Sequence, residues 1–140
     1  MDRLNKVVND FEHSLKRLEE AIKKLEKNRK SDDYPFFRDS SIQRFEQRFE
    51  FTFEIMWKTV KTYLEREGVT CRSPKSCIRE SFSVGLIGEE TAVMLMKALE
   101  DRNLTVHTYR EEVAEEIASR LKDHFKAMKK VLSAVKAGLW

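Results

Sequence analysis

The chain has 140 residues, 41% hydrophobic and 36% charged, with only four glycines and two prolines. That length suits one domain with its own core, and few chain breakers among many charges favour an all-α fold. A net charge of +3, from 27 basic and 24 acidic residues, is too small to mark a nucleic-acid footprint by itself, and no apolar run approaches a membrane span.

Met1 leads straight into charged residues with no apolar signal segment, so a soluble, cytoplasmic protein is expected. Leu4, Val8, Phe11, Leu15, Leu18, Ile22 and Leu25 then recur four and three apart, widened by Val7. This predicts a long amphipathic helix over 2–30 with its stripe in a bundle core. Ser31 to Ser41 breaks the pattern. Asp32-Asp33-Tyr34-Pro35 reads as a turn, Phe36 and Phe37 are apolar residues in that loop, and Asp39, Ser40 or Ser41 is available as a cap.

A second helix is predicted over 41–67. Ile42, Phe45, Phe49, Phe53, Met56, Val60 and Tyr63 form its main stripe. Phe51, Ile55 and Trp57 lie off it, so a second side is expected to line a symmetric dimer interface. Glu46, Glu50, Glu54 and Lys58 read as a solvated strip with one weak pair, Glu54–Lys58. Gly68 ends the helix as a left-handed cap.

Ser73-Pro74 starts a short third helix, Ser as N-cap and Pro at the first position. Cys71 and Cys77 lack a further Cys or nearby His to complete a metal set, and two reduced thiols are expected. Gly88-Glu89-Glu90 opens a fourth helix with Ala92, Leu95, Met96 and Leu99 on its apolar face. The last helix starts near 105–108, where Thr108-x-x-Glu111 can form a capping box. It carries Val113, Ile117, Leu121, Phe125, Met128, Leu132 and Val135. His13 and His124 are assigned to helix surfaces or core edges. The sum is an antiparallel up-and-down four-helix bundle with one short additional helix.

Asp101 to Tyr109 is the one stretch with candidate chemistry. Arg102 offers a cationic fork for phosphoryl oxygens. His107 can exchange a proton near neutral pH. Asn103 can orient the imidazole or a ligand. In an unbroken helix Arg102 and His107 stand about 140° apart, which suits an anion site at a helix junction or across a dimer axis. RNA supplies its own nucleophile, the 2′-OH, so an Arg and a His suffice for metal-free cleavage. Spacing alone makes this a weak signal, because Arg-x4-His arises by chance in many helical proteins.

Arg102-Asn103-Leu104-Thr105-Val106-His107-Thr108-Tyr109 resembles the R-x4-6-H motif of HEPN domains in the R-x4-H-x-Y form of the HepT-like branch. The run from Phe49 to Lys61, and Ser73-Pro74-Lys75 with Gly85-Leu86-Ile87, resemble nucleotidyltransferase substrate-binding proteins. The likeness extends from about residue 4 to 135, and the motif shows no departure. It implies a single HEPN-like domain over 1–140 that forms a homodimer. It also implies a small, MntA-like nucleotidyltransferase partner in a toxin–antitoxin pair.

In that family setting the chain would be a metal-independent endoribonuclease acting on RNA, with no metal and no cofactor. Arg102 and His107 would be catalytic, Asn103 their polar assistant, and Tyr109 the residue to which the partner transfers AMP. The substrate-binding subset implies an alternative, a non-catalytic subunit that presents a substrate, or itself, to the nucleotidyltransferase.

Overall fold

The structure is a computed structural model. It describes residues 3–107 and 116–138, with backbone alone at 37, 39 and 105–107. All described elements are helical: α1 (Arg3–Arg29), α2 (Tyr34–Arg66), α3 (Pro74–Ser83), α4 (Glu89–His107) and α5 (Leu121–Gly138). Residues 116–119 are also helical, with a turn at Arg120 before α5. Among the described residues there is no strand, so the all-α expectation holds. No described helix is long and apolar enough to cross a membrane.

α1 and α2 lie against each other over most of their length. α5 packs on α1, α2 and α4, and α3 packs on α2 and α4. All seven stripe residues of α1 are buried, as their spacing requires. They meet Ile42, Phe45, Phe49, Phe53 and Met56 of α2, each almost fully withdrawn from water. Phe45 and Phe49 are stacked 6.4 Å apart, and Phe53 is tilted against Phe49 at 6.3 Å. These one-turn steps put three rings along one face of α2.

Two polar ties cross the α1–α2 seam. The hydroxyls of Ser14 and Thr52 hydrogen-bond at 2.7 Å in a buried setting. The Thr59 hydroxyl donates toward the Val7 carbonyl at 3.3 Å and the Ile55 carbonyl at 2.7 Å. Such ties favour one register, since a slip strands a buried hydroxyl. Two ion pairs, Lys122–Glu26 at 2.8 Å and Lys136–Glu12, join α5 to α1 across the surface.

The largest departure from the expected boundaries is the start of α2. The predicted turn over 31–41 is mostly helix, because Pro35 sits in the first helical turn, directly after Tyr34, rather than inside a loop. There its missing N–H costs nothing, as the first N–H groups of a helix have no intrahelical partner. Asp33, not a residue at 39–41, takes the N-cap position, without a side-chain cap bond. Phe36 projects to solvent at 87% exposure.

Other local expectations hold. Ser73 caps α3, its hydroxyl accepting from the Ser76 N–H at 3.1 Å. Gly68 and Gly85 have φ of 82° and 81°. After each helix the N–H groups turn back: Val69 to Leu64 at 2.8 Å and Leu86 to Ser81 at 2.9 Å. That pairing is the Schellman motif, and it needs the left-handed residue. The two cysteines differ from expectation. Cys71 and Cys77 form a disulfide, their Cα atoms 5.1 Å apart, which joins the α2–α3 connection to the first turns of α3.

Gly68→Ala is expected to lower stability by about 1 kcal/mol, because open space surrounds the position but a Cβ strains the left-handed backbone. A matching drop in the urea midpoint, with unchanged slope, checks this.

Candidate functional site

The stretch Asp101-Arg102-Asn103 sits on α4, which continues unbroken through His107. Consecutive helix positions point about 100° apart, so these three side chains take three directions.

Asp101 points inward and is 1% exposed. Its carboxylate receives two bonds from the Arg120 guanidinium, Nε to Oδ2 at 2.9 Å and Nη2 to Oδ1 at 2.7 Å. His124 Nε2 lies 2.6 Å from Oδ2. An ionised carboxylate only accepts, so this ring nitrogen donates. The His124 ring is fully buried and stacks 5.6 Å from the Phe49 ring. Its Nδ1 is buried without a hydrogen-bond partner among the described residues. Burial pushes the Asp101 carboxyl up, but the hydrogen bonds from His124 and Arg120 and the Arg120 charge outweigh it and hold it at about 2. His124 is therefore core, not helix surface or core edge. The helical period fixed its direction, and only the carboxylate from α4 makes an imidazole tolerable there.

Arg102 reaches sideways to α2. Its Nη2 donates to Glu54 Oε2 at 2.7 Å, and Nη1 donates to Asn103 Oδ1 at 3.2 Å. Trp57 Nε1 donates to the same Glu54 oxygen at 3.0 Å, and Lys58 Nζ lies 3.4 Å from the other. Burial pushes the Glu54 carboxyl up, and the Trp57 hydrogen bond, the Arg102 charge and Lys58 together bring it below its ordinary value. The Arg102 side chain remains about a quarter exposed and Glu54 about a third. Arg102 and Lys58 give two cations against one carboxylate, so an anion that displaces or shares Glu54 meets net positive charge.

The strip read as solvated is thus divided. Glu54–Lys58 is present as expected, but Glu54 also meets Arg102 of another helix. Glu46 is buried, and burial, with the Glu50 charge, raises its carboxyl to about 6. Sequence spacing found Glu54 and Lys58 but not their cross-helix partner. Asp101, Arg120 and His124 carried no local signal for a shared site.

Of the four predicted site residues, the structure brings Arg102 and Asn103 together. The His107 side chain and all of Tyr109 lie outside the described residues, as do Val113 and the Thr108–Glu111 capping box. Because α4 is continuous to 107, positions 102 and 107 stand about 140° apart around its axis. Of the expected second face of α2, Phe51 is exposed, whereas Ile55 and Trp57 are partly buried against the core. Among the described residues no three His, Cys, Asp or Glu side chains gather to hold a metal.

The sequence matches the family described as nucleotidyltransferase substrate binding protein like, over residues 6–137. The chain belongs to this family. It is 27% identical over 128 residues to a probable ribonuclease HepT of Haemophilus influenzae, covering 87% of this chain and 85% of that protein. A crystal structure of a Thermus thermophilus protein is 41% identical, with a TM-score of 0.65 over 84% of this chain and 98% of that one. The fold is shared with a tri-AMPylated Shewanella oneidensis HEPN toxin solved with its MNT antitoxin. That match has 17% identity and a TM-score of 0.74, over 98% of this chain and 99% of the toxin. A mutant MntA–HepT toxin–antitoxin structure matches at 18% identity and a TM-score of 0.69, over 94% of this chain and 98% of that one. The HEPN, HepT-like resemblance read from the motif is borne out.

Two outcomes follow from the buried acids. Asp101→Ala strands Arg120 and His124 and should cost about 3–5 kcal/mol in denaturant unfolding. In the wild type, stability conferred by the Asp101 charge is full above its ordinary 3.8 and is lost as pH falls through about 2. Glu46 has the opposite sign, since its raised carboxyl penalises the folded state as pH rises through about 6. Glu46→Gln should therefore stabilise the protein by about 1–2 kcal/mol near pH 8, with the gain fading as pH falls through about 6 and gone below about 4.5. Thermal melts across that range check it.

Proposed function

We propose that this chain is the HEPN-type partner of a minimal, MntA-like nucleotidyltransferase in a toxin–antitoxin pair, and that it is a metal-independent endoribonuclease silenced by adenylylation of Tyr109. The observation that carries this reading is Arg102. It is a partly exposed guanidinium presented from a helix that a buried Asp101 ties down, within a family whose relatives include a probable ribonuclease HepT. A HEPN toxin of the same fold is AMPylated and bound to an MNT antitoxin, which supports both the partner and the modification.

In this reading the RNA 2′-OH attacks the adjacent phosphorus. His107 takes the hydroxyl proton, the 5′ oxygen leaves as a hydroxyl with a proton from water, and a 2′,3′-cyclic phosphate remains. Arg102 balances the charge that develops on the phosphoryl oxygens, and Asn103 steadies the guanidinium. The angular offset between positions 102 and 107 supports a site completed by a second copy. A homodimer in which each protomer is one four-helix up-and-down domain, with α3 added, is therefore part of the proposal. It places the protein in the cytoplasm beside its RNA.

A second reading has its own observation. Glu54 already occupies the Arg102 guanidinium, and the family is described by substrate binding to a nucleotidyltransferase. The chain would then present Tyr109 or a ligand without cutting RNA.

Incubation of the purified chain with RNA in EDTA separates the two. The proposal expects cleavage, reduced about 100-fold or more in Arg102→Ala and in His107→Ala. A wild type that leaves RNA intact yet binds the nucleotidyltransferase stably establishes the second reading. Coexpression with that partner and ATP should add AMP to the wild type and none to Tyr109→Phe.

A further inference from the structure

The N-terminal half of α2 and the C-terminal half of α1 flank a cleft of about 810 Å³. Arg17 and Lys24 stand on the α1 wall, and Arg44 and Arg48 on the α2 wall, against one acid, Glu20. All four cations are exposed, and none makes an ion pair or hydrogen bond among the described residues. Several cations elsewhere are matched instead: Lys122 by Glu26, Lys136 by Glu12, Lys58 and Arg102 by Glu54, and Arg120 by Asp101. The cleft thus sets four exposed cations against a single acid.

Spacing gives the cleft a direction. Arg44 and Arg48 are one turn apart on α2, about 6 Å along its axis, and Phe51 follows at the same face, 57% exposed. Glu54, which holds Arg102, lies about 9 Å beyond Arg48 along the axis and about 120° around it. The cleft floor is formed by buried Leu25 and Phe45. A chain lying in the cleft would pass between two rows of cations and, beyond Phe51, turn around α2 to reach Arg102.

We propose that the α1–α2 cleft is a binding track for a single-stranded nucleic-acid backbone that feeds the Arg102 site. The idea rests on the ribonuclease reading and adds where the strand lies. Three of the four cations are arginines, whose forks suit phosphate oxygens. An exposed aromatic ring at the end of the track offers a base a stacking face. A second copy of this chain is a poor occupant, because a two-fold contact sets this patch against itself, cation against cation.

The test uses a short, mixed-sequence 2′-O-methyl RNA strand, which lacks a free 2′-OH and so reports binding without cleavage. Fluorescence anisotropy compares the wild type, Arg44→Gln/Arg48→Gln on one wall and Arg17→Gln/Lys24→Gln on the other. Lys129→Gln/Lys130→Gln on α5 is the equal-charge control. Both wall variants should bind about tenfold or more weakly, with the salt slope reduced by about 1.4, the loss of two single-strand phosphate contacts. The control should stay within about twofold.

Unchanged affinity in the wall variants, or an equal loss in the control, overturns the track. So does a change confined to nucleotidyltransferase binding or to oligomeric state, which assigns the cleft to an acidic protein surface or a second copy. The ribonuclease reading is decided separately, by whether the wild type cuts unmodified RNA. A wild type that binds the modified strand through the cleft but cuts nothing leaves the track standing and removes the enzyme.

Discussion

The site depends on one buried carboxylate. Asp101 faces the interior from α4 and holds Arg120 and His124 just before and within α5. The helix that presents Arg102 is thereby fixed in rotation and height against the core. Asp101 and Arg102 are neighbours about 100° apart, so clamping one aims the other. The clamp reaches the centre of the molecule, because His124 also stacks on Phe49 in the aromatic row of α2. A buried ion pair is weak evidence for stability in general. Its better-attested use is to select one arrangement among alternatives.

Arg102 itself is held but not sealed. Glu54 supplies a short ion pair, and Trp57 and Lys58 keep that carboxylate occupied from its other sides. Removing Glu54 from the guanidinium leaves the carboxylate two donors on its own helix, so exchange for a phosphate costs less than breaking an isolated buried pair. The same arrangement serves catalysis or presentation. Chemistry, not geometry, separates the two.

Much of the fold was legible because helical spacing reports burial directly. The α1 stripe and the α2 phenylalanines are core for the reason their period gives. The start of α2 was not legible, since Pro35 breaks a helix from inside but is tolerated in its first turn, and local sequence fits both. Cys71 and Cys77 were read from compartment habits as reduced, whereas the turn into α3 sets them at bonding distance. In the site, Arg102 and Asn103 stood out by motif, and Glu54 by periodicity. The clamp did not, because Asp101, Arg120 and His124 look like surface residues until two helices are packed. Glu46 misled in the same way, its helix face being buried by elements remote in sequence.

The central claim is that Arg102 and its motif act on RNA through the strand's own 2′-OH. The most direct measurement compares an RNA strand with the same strand carrying 2′-deoxy sugars, incubated with the wild-type protein in EDTA. The account predicts that the RNA is cut to products ending in a 2′,3′-cyclic phosphate while the deoxy strand survives intact. Equal cleavage of both strands, or cleavage of neither, contradicts it.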